Sequence, residues 1–140
     1  MIDWTSVIFT GPRRRRKASG KRRTVSKGEK QKYQLHRESA RKKISEVLSR
    51  VNAYYGLQYG RVAIRNQRRS WGSCSQVGNL NFNYRILFLP EALQEYIVAH
   101  ELCHLKEFNH GPGFWRLVAE YAPDYHQKRK ELKSIAISSL

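Results

Sequence analysis

A chain of 140 residues with 27 Lys/Arg against 11 Asp/Glu carries a net charge of +16; it is long enough for one domain with a real core and too short for two of ordinary size. The excess is uneven, with +12 in residues 1–50 and +4 in the remainder. Two cysteines, Cys74 and Cys103, without C-x-x-C spacing argue against a disulfide framework or a Cys-type zinc site, and no apolar run reaches signal-peptide or membrane-span length, so a reduced, cytoplasmic protein with no membrane partner is expected.

Residues 1–32 read as a basic tail: Arg13 to Lys17 and Lys21 to Arg23 lie among Gly and Ser with almost nothing apolar to bury. Ser26 with Glu29 has the spacing of a capping box. Tyr33, Leu35, Ala40, Ile44, Val47, Leu48, Val51 and Tyr55 then recur near one helical face, predicting a helix from about 30 to 55 that ends at Gly56. Between Tyr59 and Pro90 the period drops to two. Val62 and Ile64 form one alternating run, and Leu80, Phe82, Tyr84, Ile86 and Phe88 form another, predicting strands with one buried face. Gly78-Asn79 joins the second run to Trp71–Ser75 in the manner of a hairpin connection, so at least two strands should be antiparallel. Pro90 opens a helix expected to reach about Lys106, apolar on nearly every side around Tyr96-Ile97-Val98-Ala99 and therefore largely buried. Gly111-Pro112-Gly113 breaks it, and Phe114, Leu117, Val118 and Tyr121 mark a last helix ending before Pro123.

The chemistry is concentrated in His100-Glu101-Leu102-Cys103-His104. Two imidazoles at i and i+4 share one face of a helix and suit two ligands of one tetrahedral metal, with Glu101 beside them to reach a metal-bound water. His110, six residues on, can turn back as a third ligand, leaving the fourth position open. Three of the five histidines fall within these eleven residues. Such a site lowers the pKa of bound water to about 7 and polarises a carbonyl, with Glu101 as the general base.

Four segments, Trp71-Gly72-Ser73-Cys74-Ser75, Asn79 to Arg85, Tyr96 to His104, and Asn109-His110 followed by Phe114-Trp115, together resemble the YgjP-like metallopeptidases, relatives of the SprT-like and other zincin proteins. The resemblance runs from about Tyr33 to Lys133. It implies an α+β, zincin-like domain over 33–140, with an N-terminal helix, a short and mostly antiparallel sheet, a buried H-E-x-x-H helix and a following C-terminal helix. It also implies Zn2+ held by His100, His104 and His110, with Glu101 as catalytic base. The ligand spacing is also that of metzincins, but Glu107 stands where those carry glycine, and Met1 is the only methionine. Family members often carry arginine directly before the tryptophan; here Ser70 holds that place and Arg69 lies one earlier, facing the other way in a strand.

Core packing is the expected role of Cys103. For Cys74, packing in the turn is expected over approach to the metal as an inhibitory thiolate. Asn81, Asn83 and Arg85 should share a strand face, lining a cleft for an extended peptide or simply meeting solvent. By type alone, Tyr84, Arg85, Tyr96, Arg116, Tyr121 and His126 are all candidates to stabilise an oxyanion. Three functions are compatible with these residues. The first is a metallopeptidase acting on a protein or peptide substrate, and the second a zinc hydrolase of a nucleotide or other small phosphorylated substrate. The third is a nucleic-acid-associated protein with structural zinc, whose tail, lacking interleaved aromatics, would bind nucleic acid nonspecifically.

Overall fold

The computed structural model describes residues 24–140. Helix α1 (Lys27–Tyr55) starts at the expected capping box: Ser26 Oγ accepts from the Glu29 N–H at 3.2 Å and Glu29 Oε2 accepts from the Ser26 N–H at 3.1 Å. The helix thus claims residues 27–32 from the stretch read as tail, because the box satisfies donors that would otherwise fray the first turn. The Arg13–Lys17 and Lys21–Arg23 runs of that tail lie outside the described residues. Ala40, Ile44, Val47, Leu48 and Val51 form the buried stripe of α1, while Leu35 faces solvent at 74% exposure. Gly56 ends the helix at φ 61°, in the left-handed region that a glycine occupies without penalty.

Strands β1 (Val62–Arg65), β2 (Gly72–Cys74) and β3 (Leu80–Asn83) form one sheet in the order β1-β3-β2. The hairpin is present: β2 and β3 pair antiparallel with Gly72 opposite Phe82, and Gly78 turns the chain at φ 84°. Because β3 returns into the space between its two predecessors, it runs parallel to β1, with Val62 opposite Leu80. The sheet is therefore mixed, with as much parallel as antiparallel pairing, where a mostly antiparallel one was expected.

The second alternating run does not continue as a strand. It leaves the sheet at Asn83 and becomes a 3-10 helix, Tyr84–Phe88, in which Tyr84, Arg85 and Ile86 are all buried. Asn83 causes the break: its Oδ1 accepts from the Arg85 N–H at 3.1 Å while its Nδ2 donates to Gln67 O at 2.6 Å and Ser70 O at 3.0 Å. A side chain that caps a turn in this way competes with the strand ladder. Arg85 Nη1 donates to Asn66 Oδ1 at 2.9 Å and Gln67 O at 3.2 Å, and its guanidinium lies 4.7 Å from the Tyr84 ring centre. Asn83 and Arg85 thus neither line a cleft nor meet solvent; they knit the 66–70 loop to the sheet. Asn81 stays on the sheet, donating to Ser73 Oγ and accepting from Arg65 Nε.

Helix α2 (Glu91–Cys103) has ten of its thirteen residues buried. Gln94 Nε2 ties it to the 3-10 segment through Ile86 O and Leu89 O, and α1, β2 and the two later helices cover its sides. It stops three residues short of the expected end, with His104 as C-cap. Helix α3 (Pro112–Tyr121) opens on Pro112, where a missing N–H costs nothing. Helix α4 (Tyr125–Ser134) has no counterpart in the sequence reading. Its one buried residue is Leu132, too little for an apolar stripe, and it is held by Tyr125 stacked on Trp115 at 5.0 Å and by Arg129 over the same indole. No helix among the described residues is long and apolar enough to cross a membrane.

Replacing Asn83 by Ala should cost about 1–3 kcal/mol, because it removes two donors from buried carbonyls and the cap of the 3-10 turn. Urea denaturation of the full chain measures this, and an unchanged midpoint would mean that the loop is held by other contacts.

Candidate metal centre

The last turn of α2 aims His100 and His104 at the same point, and the loop after the helix brings His110 back to meet them. His100 and His104 are buried and His110 is half-buried, so the cluster opens toward solvent on the His110 side. Among the described residues these three form the group able to hold a metal ion. The Nε2 atoms stand 3.3 Å (His100 and His104), 3.1 Å (His104 and His110) and 3.2 Å (His100 and His110) apart. Zn–N bonds of about 2.0–2.1 Å in a tetrahedron put ligand nitrogens roughly 3.3–3.4 Å from one another, so the triangle fits one ion with a fourth position left over.

Each ring is held by its surroundings. His104 Nδ1 donates to Glu107 O at 3.0 Å, which leaves the Nε2 lone pair directed at the cluster centre. Trp115 Nε1 donates to His110 O at 3.1 Å and fixes the returning loop. Phe114 stacks on His104 at 4.5 Å and meets His100 and His110 edge-on at 4.9 Å each. Burial, together with the neighbouring imidazoles and Arg129, holds His100 well below the usual imidazole range, and burial pushes His104 down to about 4. Both imidazoles are therefore neutral at pH 7, the form that binds a metal.

Glu101 is fully buried, and neither carboxylate oxygen has a hydrogen-bond partner within the protein. Burial alone raises it to about 8. A partnerless buried carboxylate is costly, and its position beside a metal-fitting triangle is consistent with an ion and its water as the missing partners. Gly72 makes room for it: a Cβ there would stand 3.0 Å from Glu101 Cγ, 3.1 Å from Oε1 and 3.0 Å from Asn81 O. Nothing in the pattern around Trp71-Gly72-Ser73 marks this contact in advance, because it joins a strand to a helix far along the chain.

Of the six oxyanion candidates, Tyr96 packs against the cluster, its ring 6.1 Å from that of His100 and its hydroxyl buried without a hydrogen-bond partner, whereas Arg116 is exposed on α3. Tyr84 and Arg85 belong to the 3-10 network, Tyr121 packs with Tyr54 and Tyr55, and His126 stacks on Tyr125. Burial, then Glu101, pushes the Cys74 thiol up to about 12, so it is not a thiolate; Cys103 is a core residue, likewise raised to about 12. The sequence reading missed Arg129. Its guanidinium lies 4.9 Å from the Trp115 ring centre, and that indole is 6.0 Å from the His100 ring.

The YgjP-like metallopeptidase domain family matches residues 8–135. The UTP pyrophosphatase of Escherichia coli (strain K12) is 47% identical over 38 residues, 27% of this chain and 23% of that protein, so the matched stretch spans less than a quarter of the relative. The metallopeptidase zymogen of Pyrococcus abyssi abylysin superposes with a TM-score of 0.60 at 27% identity, over 65% of this chain and 92% of its own. The metallopeptidase zymogen of Methanocaldococcus jannaschii jannalysin does so at 0.57 and 20%, over 65% and 94%, and shares the fold.

For the metal-free chain these shifts set the pH dependence of stability. His100 and His104 are protonated below about pH 6.5 when unfolded and resist protons when folded, so their contribution is present above that pH and lost as pH falls toward 4. Glu101 works in the opposite sense: its folded carboxyl keeps a proton up to about 8, so its contribution is lost as pH rises from about 4.5 to 8. Two imidazoles outweigh one carboxyl below about 6.5, and the carboxyl acts alone above it. Calorimetry of chelator-treated protein should show a Tm maximum near pH 6.5; a steady rise from pH 5 to 8 would contradict the partnerless carboxyl. Separately, Gly72→Ala should destabilise the protein by about 1–3 kcal/mol through overpacking, and a variant with wild-type stability would show that Glu101 has room to move.

Proposed function

The chain belongs to the YgjP-like metallopeptidase family, and from that premise we propose that it is a zinc-dependent metallopeptidase, with His100, His104 and His110 as ligands and Glu101 as general base. The observation that carries the proposal is the convergence of three imidazole Nε2 atoms, 3.1–3.3 Å apart, next to a buried carboxyl with no hydrogen-bond partner in the protein. An all-imidazole set in that geometry favours zinc over magnesium or calcium, which prefer oxygen ligands. Bound there, zinc would act as a Lewis acid and bring the pKa of a coordinated water near 7.

The chain supplies the rest. Glu101, buried beside the histidines with no hydrogen-bond partner in the protein, would be the group that takes a proton from water and returns it to the departing amine. Gly72, lacking a side chain, leaves the space that the Glu101 carboxyl occupies. Tyr96, whose ring lies 6.1 Å from that of His100 and whose buried hydroxyl has no hydrogen-bond partner, would be the donor to the developing oxyanion. Trp115 and Phe114 close the apolar side of the cluster and keep bulk water from the His100 face.

A second reading keeps this centre and directs its water at a phosphoanhydride. It is favoured by the identity of 47% over 38 residues with a UTP pyrophosphatase. Water would add to phosphorus, the bridging P–O bond would break, and Glu101 would pass the proton to the departing phosphate.

Elemental analysis of protein prepared without added metal should find about one zinc per chain in the wild type and sharply less in His110→Ala. Glu101→Gln should keep the zinc and lose hydrolysis by roughly 10²–10⁴-fold. An unfolded protein substrate and a nucleoside triphosphate, assayed in parallel, separate the two readings. Zinc retained in His110→Ala would remove His110 as a ligand, and full activity in Glu101→Gln would remove the proposed base.

A further inference from the structure

Helix α4 has little packing of its own, with Leu132 as its buried residue, yet it sends two side chains to one indole. Tyr125 stacks on Trp115 with ring centres 5.0 Å apart and planes 16° from parallel, and the Arg129 guanidinium lies 4.9 Å from the centre of the same ring. Four positions apart, Tyr125 and Arg129 share one face of the helix. All three side chains are half-buried, so the contact lies at the margin of the core.

Trp115 also meets the metal centre. Its Nε1–H donates to His110 O at 3.1 Å, and its ring stands 5.8 Å from the His110 imidazole with the planes 30° apart. Its backbone N–H donates to Gly111 O at 3.2 Å, the residue after that histidine. The three histidines differ in what holds them. His100 and His104 lie one turn apart at the end of α2 and are buried, whereas His110 comes from the loop between α2 and α3 and is half-buried. A helical turn fixes the first two relative to each other, but the third keeps its place in the triangle only as far as its loop is held.

We propose that α4 positions the third ligand: Tyr125, with Arg129 beside it, holds the Trp115 indole, and the indole holds His110 against the other two histidines. Tyr125 is thus a positioning residue that acts on the metal through Trp115. Partners that orient a ligand from outside the coordination sphere typically contribute about 10–100-fold to metal affinity. The inference rests on reading His110 as a ligand and adds what keeps it there. Because α4 is fastened by Leu132 and by this indole, the seating of the helix and the engagement of the third ligand are linked.

Competition with a chromogenic chelator measures the zinc affinity of the full chain, and cobalt(II) in place of zinc reports the ligand set through its visible absorption. Tyr125→Leu keeps apolar bulk and loses the ring; it should bind zinc about 10–100-fold more weakly than wild type and alter the cobalt spectrum. Tyr125→Phe, which keeps the stacked ring, should stay within about threefold of wild type. Trp115→Phe, which loses the N–H to His110 O, should also weaken zinc, and Tyr125→Leu added to Trp115→Leu should weaken it no further. Asn83→Ala, which loosens the 66–70 loop instead, should bind zinc as wild type does. Wild-type affinity in Tyr125→Leu or in Trp115→Phe, losses that add in the double variant, or an equal loss in Tyr125→Phe or Asn83→Ala would overturn the proposal. His110→Ala separates it from the ligand assignment. Wild-type affinity in that variant removes His110 as a ligand, whereas affinity lost there and kept in Tyr125→Leu removes the role of α4 alone.

Discussion

The structure depends on a conflict inside α2: a helix apolar enough to form the centre of the core ends in two imidazoles and a carboxylate that are no less buried than its leucines. Polar groups at that depth persist only with partners. The neighbouring elements supply some: Glu107 O for His104, an indole N–H for the backbone of His110, and aromatic faces around all three rings. Glu101 receives none from the protein, and the cluster centre is left for an ion. The remaining architecture is arranged to hold this end of α2 still. Gln94 anchors its first half to the 3-10 segment, and Tyr33 and Tyr55 tie α1 to β1 and α3 through Ile64 O and Leu117 O.

What could be read from the sequence was what is local or periodic. The capping box of α1, its buried stripe, the Gly78-Asn79 hairpin and the convergence of His100, His104 and His110 are each written within a few residues of one another. What escaped was decided at a distance. The run Leu80 to Phe88 alternates well enough for a strand, yet Asn83 finds Gln67 O and Ser70 O and turns the chain out of the sheet. Parallel pairing of β1 with β3 follows from where the hairpin folds back, which no period records. Helix α4 lacks an apolar stripe because it is fastened by one leucine and by Trp115, and Arg129 was missed along with it.

The surface is rich in cations, but several are already committed: Arg50 to Glu91 and Glu95, Arg68 to Glu29, Lys128 to Asp124. Such exposed pairs add little stability, and they reduce the number of cations left uncompensated.

The contact between Gly72 and Glu101 has a consequence for how this fold can vary. Surface turns ordinarily accept inserted or deleted residues with little effect. Here Gly72 pairs with Phe82 in a register set by the Gly78 turn. A slip of one residue would bring Trp71 or Ser73 to the carboxylate instead of the one residue without a side chain. The length of a hairpin turn is thereby coupled to the seating of a buried carboxyl, and related chains should differ in the composition of this turn far more freely than in its length.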